Sequence, residues 1–219
     1  MIRELAVPVP LPAGEVDIDA VVHEPAHPSA TVIVAHGAGT RLDHPFLVGF
    51  ATAVAAAGMR AVRFNFPYAQ AGRRMPGPAA HAVAAWQAVV DRCRGDVPVH
   101  AAGRSYGGRM ASMAAAEGRI RPHTLVYLGY PLHPPGRPDK LRTEHLPLIL
   151  APQLFVSGTR DPFVDPHGQL EDAVAACRRA HLHWVDGGGH GFEVAGRRRP
   201  ADEIGAGIAA IALEWIAAQ

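Results

Sequence analysis

The turn Gly103-Arg104-Ser105-Tyr106-Gly107-Gly108 constrains this chain more than any other stretch of it. It follows the strand-like stretch Val97–Ala102 without a spacer and runs straight into an Ala/Met-rich, helix-like segment ending at Glu117. A strand that reverses into a helix over so few residues folds its own backbone close together. Side chains two positions before or after Ser105 would collide with neighbouring backbone, so glycine fits at Gly103 and Gly107. Gly108 then lets the helix pack close to the strand.

The same alternation runs through the rest of the chain. Strand-like stretches fall at Thr31–Ala35, Arg60–Phe64, Thr124–Leu128, Gln153–Ser157 and His181–Val185. Helix-like stretches open at Pro45 and span Ala79–Cys93, Pro166–Ala180 and Ala201–Ala218. The run Thr31–Ala35 is apolar on both faces, which suits a buried parallel strand. Glu4–Val9 and Glu15–His23 read as an antiparallel pair at a sheet edge, where their prolines are tolerated. The expectation is an α/β fold: a mostly parallel, doubly wound sheet of about seven or eight strands flanked by helices. Its 219 residues are expected to form one domain, 1–219, since α/β units of about 200–250 residues are common. The Pro-rich connection Gly129–Pro152 is too short for a cap domain, so an ordered loop and an open site are expected.

Composition removes several classes of function. With 21 Lys and Arg against 20 Asp and Glu, the net charge is +1, which gives no basic footprint for nucleic acid. The two cysteines, Cys93 and Cys177, allow no disulfide framework and are expected to be buried thiols. No apolar run is long enough to span a membrane, and the first residues lack the apolar core of a signal peptide, so a cytoplasmic protein is expected. Phosphate-loop, dinucleotide-binding and H-E-x-x-H patterns are all missing, and the 13 histidines show no metal-ligand spacing. Neither cofactor nor metal is expected.

In open α/β sheets, ligands bind beyond the carboxyl ends of the strands. Four peptides leave those ends: His36–Gly39, Gly103–Gly108, Gly158–Asp161 and Gly187–Gly191. Ser105 is the candidate nucleophile, and its hydroxyl needs a base within hydrogen-bond reach. His190 lies in the glycine-rich turn Asp186–Phe192, expected to be flexible, and is the candidate base; the remaining histidines lack such a context. Asp161, just past the penultimate strand, is the candidate partner for the imidazole, in preference to Asp165. The amide of Tyr106 opens a helix and is one candidate oxyanion donor. Ala38 supplies the second, with Gly37 as the alternative.

Tyr68, Tyr106, Pro131, Leu132, His133 and Phe163 are expected to line the site. Arg41, Arg73, Arg74, Arg104, Arg109 and Arg160 fall in loops or turns near the same strand ends. Of these, Arg73 is taken as a candidate substrate-binding residue, because arginine grips carboxylate and phosphate groups bidentately. Surface pairing is the competing reading for the group.

His36–Gly39, Arg63–Tyr68, Gly72–Arg74, Gly103–Gly108, Pro131–Gly136, Gly158–Phe163 and Gly189–Phe192 together resemble the α/β-hydrolases. Within them, the similarity is to the small lidless branch related to dienelactone hydrolases, including the testis-expressed hydrolase-like proteins. The resemblance covers nearly the whole chain. It implies the α/β-hydrolase fold without a cap and a triad in the chain order Ser105, Asp161, His190. Ser105 stands where dienelactone hydrolases proper commonly carry cysteine. A serine hydrolase acting on a small-molecule ester or thioester is the expected function. A non-catalytic scaffold of the same fold is the alternative, since some relatives serve as subunits of nuclear complexes.

Overall fold

In a computed structural model describing residues 1–219, Ile2–Leu11 (β1) and Gly14–His23 (β2) form an antiparallel hairpin. Val7, Val9, Ile18, Ala20 and Val22 are buried along one face, as alternation in a half-solvated pair requires. β1 is the outermost strand, so Pro8 and Pro10 sit at an edge, where a missing N–H is tolerated. β2 pairs antiparallel with Arg60–Phe64 (β4). Thr31–Ala35 (β3), Val99–Arg104 (β5), Leu125–Leu128 (β6), Gln153–Gly158 (β7) and Ala180–Val185 (β8) extend the sheet in parallel. The eight strands run in the order β1-β2-β4-β3-β5-β6-β7-β8. β3, β6 and β7 are buried at every residue, which explains their unbroken apolar runs.

Parallel neighbours need crossovers, and helices supply them. Pro45–Ala56 (α1) and Ala201–Ala217 (α6) share the hydrophobic cluster on one side of the sheet. They pack backbone to backbone: a Cβ on Gly49 would lie 1.9 Å from the Asp202 carbonyl oxygen, and one on Gly205 would lie 2.0 Å from that of Phe46. Ala79–Cys93 (α3) and Tyr106–Ala116 (α4) pack into the other cluster, around Trp86 and Phe64. Pro67–Gln70 (α2) is a single turn that no periodicity in the sequence reveals. His167–Ala175 (α5) stops short of the expected end at Ala180, because that residue already pairs with Gln153 in the β7–β8 ladder.

The connection from Gly129 to Pro152 forms no cap. Tyr130 Oη donates to the Arg142 carbonyl (2.8 Å) and Arg142 N to that of Leu132 (2.9 Å), closing the loop on itself before a 3-10 turn at Leu146–Leu148. Cys93 and Cys177 are free and half-buried; burial pushes the Cys93 thiol up to about 11. No helix is long and apolar enough to cross a membrane.

Candidate active site

The reversal after β5 forces Ser105 into the left-handed half of backbone space, with φ 48° and ψ −114°. Such a conformation costs roughly 1–3 kcal/mol outside glycine and persists only where the surroundings impose it. Here the glycines impose it. A Cβ on Gly103 would lie 2.3 Å from Gly108 N, and one on Gly107 would lie 2.6 Å from the His36 carbonyl oxygen. The turn therefore presses against the end of β3. A Cβ on Gly37 would come within 3.6 Å of Ser105 Cβ.

Two further loops meet Ser105 from the other side. His190 Nε2 lies 2.8 Å from Ser105 Oγ, and its Nδ1 lies 2.7 Å from Asp161 Oδ2. With Asp161 as a carboxylate, Nδ1 carries the proton and Nε2 is free to accept from the hydroxyl. Asp161 is buried, and Phe163 N donates to its other oxygen at 2.9 Å. Phe163 also stacks its ring on His190, 4.2 Å between centroids. Asp165 is exposed and makes no bond to the imidazole.

The glycine turn carrying His190 is tied down, contrary to the flexibility expected of it. Arg160 N donates to the Gly188 carbonyl (2.8 Å), Gly187 N to Thr159 Oγ1 (2.8 Å) and Gly189 N to the Glu193 carbonyl (3.0 Å). A Cβ on Gly158 would lie 2.1 Å from the Gly188 carbonyl oxygen. The Asp161 and His190 loops thus interlock at the ends of β7 and β8.

The loop after β3 is set by one peptide. Phe66 N donates to His36 Nε2 (3.1 Å), so the imidazole proton is on Nδ1 and is donated to the Gly37 carbonyl (2.8 Å). Thr40 Oγ1 (3.0 Å) and Tyr68 Oη (3.4 Å) donate to the same oxygen. In a trans peptide the N–H points away from the preceding carbonyl, so Ala38 N–H points away from these donors. It has no acceptor within the protein, and neither does Tyr106 N at the start of α4.

The profile matching an α/β-hydrolase domain spans residues 28–215. The chain belongs to the α/β-hydrolase family. A dienelactone hydrolase from Anabaena variabilis superposes on it with a TM-score of 0.75 at 23% identity, covering 98% of this chain and 96% of that one. A lidless serine hydrolase from Xanthomonas campestris gives 0.71 at 21% identity, over 97% and 95%. At that identity the likeness establishes the fold.

The other residues expected to line the site of this α/β-hydrolase are placed unequally. Phe163 is against His190. Tyr68 is mostly buried and braces the Gly37 carbonyl from below. His133 is fully buried, with Nδ1 2.9 Å from the Pro134 carbonyl oxygen, so its ring faces no open cleft. Arg73 is exposed and shares with Phe66, Tyr68, Pro78, Ala82 and Tyr106 a pocket of about 240 Å³. The arginines do not converge: Arg41 donates to the Ala69 carbonyl, and Arg104 stacks over Phe46 at 5.0 Å. His36 and Thr40 escaped the sequence reading as bracing groups. The available signal was a histidine directly before Gly37-Ala38-Gly39, followed by a hydroxyl residue.

Burial is the main reason His36 is pushed down from 6.5 to about 4. Its folded value lies below its unfolded one, so the unfolded chain takes up the proton first as pH falls. The stabilising contribution is full above pH 6.5 and lost between there and 4, on the order of 3 kcal/mol. His100 is lowered in the same way, so urea midpoints should fall steeply over this range. In His36→Gln the fall should be visibly shallower; a parallel curve would show that His36 does not titrate as described.

Proposed function

We propose that this α/β-hydrolase is a serine hydrolase that cleaves esters or thioesters of small acyl groups through an acyl-enzyme. The observation that carries the reading is the unbroken chain from Ser105 Oγ through His190 to buried Asp161, with bonds of 2.8 and 2.7 Å.

Ser105 Oγ attacks the acyl carbon as its proton passes to His190 Nε2. Asp161 stays a carboxylate, holding Nδ1–H and balancing the imidazolium. The carbonyl oxygen, now an oxyanion, accepts from the unpaired amides of Tyr106 and Ala38, which are oriented before substrate arrives. Gly37, whose own N–H likewise has no acceptor within the protein, is the alternative donor. Collapse expels the alcohol or thiol, which takes the proton from Nε2. Water, deprotonated by the same nitrogen, then attacks the acyl-serine; the C–Oγ bond breaks, Ser105 Oγ takes the proton back from Nε2, and the carboxylic acid is released.

The pocket beside Tyr106, at about 240 Å³, lies below the roughly 300–1,000 Å³ usual for drug-sized ligands. Ser105 and His190 do not line it, and it meets the nucleophile turn only at Tyr106. Its mostly apolar wall, which includes Arg73, makes it the candidate pocket for a short acyl chain ending in an anion. With no cap over Ser105, the leaving group faces solvent and can vary.

A fluorophosphonate should add to the native chain once, with the mass increase on the peptide holding Ser105. p-Nitrophenyl butyrate should give an initial burst no larger than one equivalent. A folded protein that takes up no label, or takes it elsewhere, would refute the proposal.

A further inference from the structure

A second concavity, of about 360 Å³, lies between the outer side of α4 and the segment Leu141–Leu148. Ser105 and His190 do not line it. Two arginines do: Arg109 from α4 and Arg142 from the loop. Neither is paired with a carboxylate. Arg142 makes one long bond, 3.5 Å to the Pro131 carbonyl oxygen. The Arg109 guanidinium bonds to no protein acceptor, and its Nε is buried without a partner.

The groups around them make no direct ion pair with this charge. Glu117 and Glu144 line the same concavity, both exposed and neither in ion-pair contact with either arginine. His145, 2.7 Å from Ser112 Oγ, is pushed down to about 4 by burial and by Arg109, so it stays neutral. Burial and Arg109 also make Arg142 easier to deprotonate. Two cations held in one concavity repel each other, and an anion between them removes that cost. The rest of the wall is Thr143 and four apolar residues. Met113 is half-buried, while Leu141 and Leu148 are 44% and 65% exposed.

We propose that this pocket binds a carboxylate or phosphate head group carried on an apolar chain. Arg109 and Arg142 take the head group, where guanidinium offers paired N–H donors, and Met113, Leu141 and Leu148 lie along the chain. The site stands apart from the chemistry assigned to Ser105 and does not depend on it.

The test uses Ser105→Ala protein, so that nothing is turned over, and isothermal titration with octanoate, octyl phosphate and 1-octanol. At least one of the two anions should bind with one-to-one stoichiometry, and octanol at least tenfold more weakly. Comparison of the two anions shows which head group is preferred. Arg142→Gln should weaken that binding at least tenfold with an unchanged melting temperature, and Arg142→Lys should restore part of it. Arg109→Gln provides a second variant should Arg142→Gln lose stability. Equal binding of octanol, no saturable binding of either anion, or affinity unchanged in both Gln variants would overturn the proposal.

Discussion

Replacing Ser105 by alanine is expected to lower kcat for p-nitrophenyl butyrate by about 10⁴-fold or more, on the scale seen when a triad nucleophile is removed. The substitution deletes one oxygen and leaves Cβ, so the demands on the turn are unchanged. Gly103, Gly107 and the end of β3 still hold the backbone at its positive φ. Only the 2.8 Å bond to His190 is lost, at a half-buried position, and stability should move by no more than about 1 kcal/mol. Some acceleration over water should remain, since the amides of Tyr106 and Ala38 are untouched. Rates of native and variant protein, beside their melting curves, decide the matter. A folded variant retaining a tenth of the native rate would remove Ser105 from the mechanism.

The same geometry argues against a scaffold that merely kept the fold. A binding surface has no use for a strained serine, a buried carboxylate fixed to one face of an imidazole, or two amides held without acceptors. Two of these carry a cost in stability: backbone strain at Ser105 and desolvation at Asp161. The serine, the imidazole and the carboxylate are joined in one line of hydrogen bonds.

How much of this was legible beforehand depended on the range of the interaction. The Gly103–Gly108 turn could be read because its constraint is local: the glycines avoid backbone within a few residues and at the adjoining strand. The parallel sheet could be read because its strands are buried on both faces and leave apolar runs. The bracing of the Gly37 carbonyl could not, since His36, Thr40 and Tyr68 are separated by up to 32 residues and share no period. Tyr68 and His133 were legible as aromatic groups near strand ends, but residue type does not say whether a ring lines a cleft or lies beneath it. The arginines failed similarly. A side chain of that length reaches in any direction, and only the fold shows that Arg109 meets Arg142 while Arg104 lies on Phe46.

Asp161→Asn carries the other large expected effect, and the surroundings of the carboxylate say why. Oδ1 accepts from Phe163 N, and Oδ2 faces His190 Nδ1. An asparagine amide must satisfy the same backbone N–H with its oxygen, which turns its NH₂ toward the imidazole. Nδ1 then becomes an acceptor, and the ring proton moves to Nε2, facing Ser105 Oγ. A histidine protonated there cannot take the hydroxyl proton, although no atom has moved appreciably. The expected loss is about 10⁴-fold in kcat, as for the corresponding substitution in other triads. Melting behaviour should be little changed, because the bond from Phe163 N is kept and the two bonds of His190 are replaced by ones of reversed polarity. The imidazole ¹⁵N shifts of His190 should report the exchange of tautomer directly. A loss of less than tenfold, or a proton still on Nδ1 in the variant, would mean that Asp161 does not govern the state of His190.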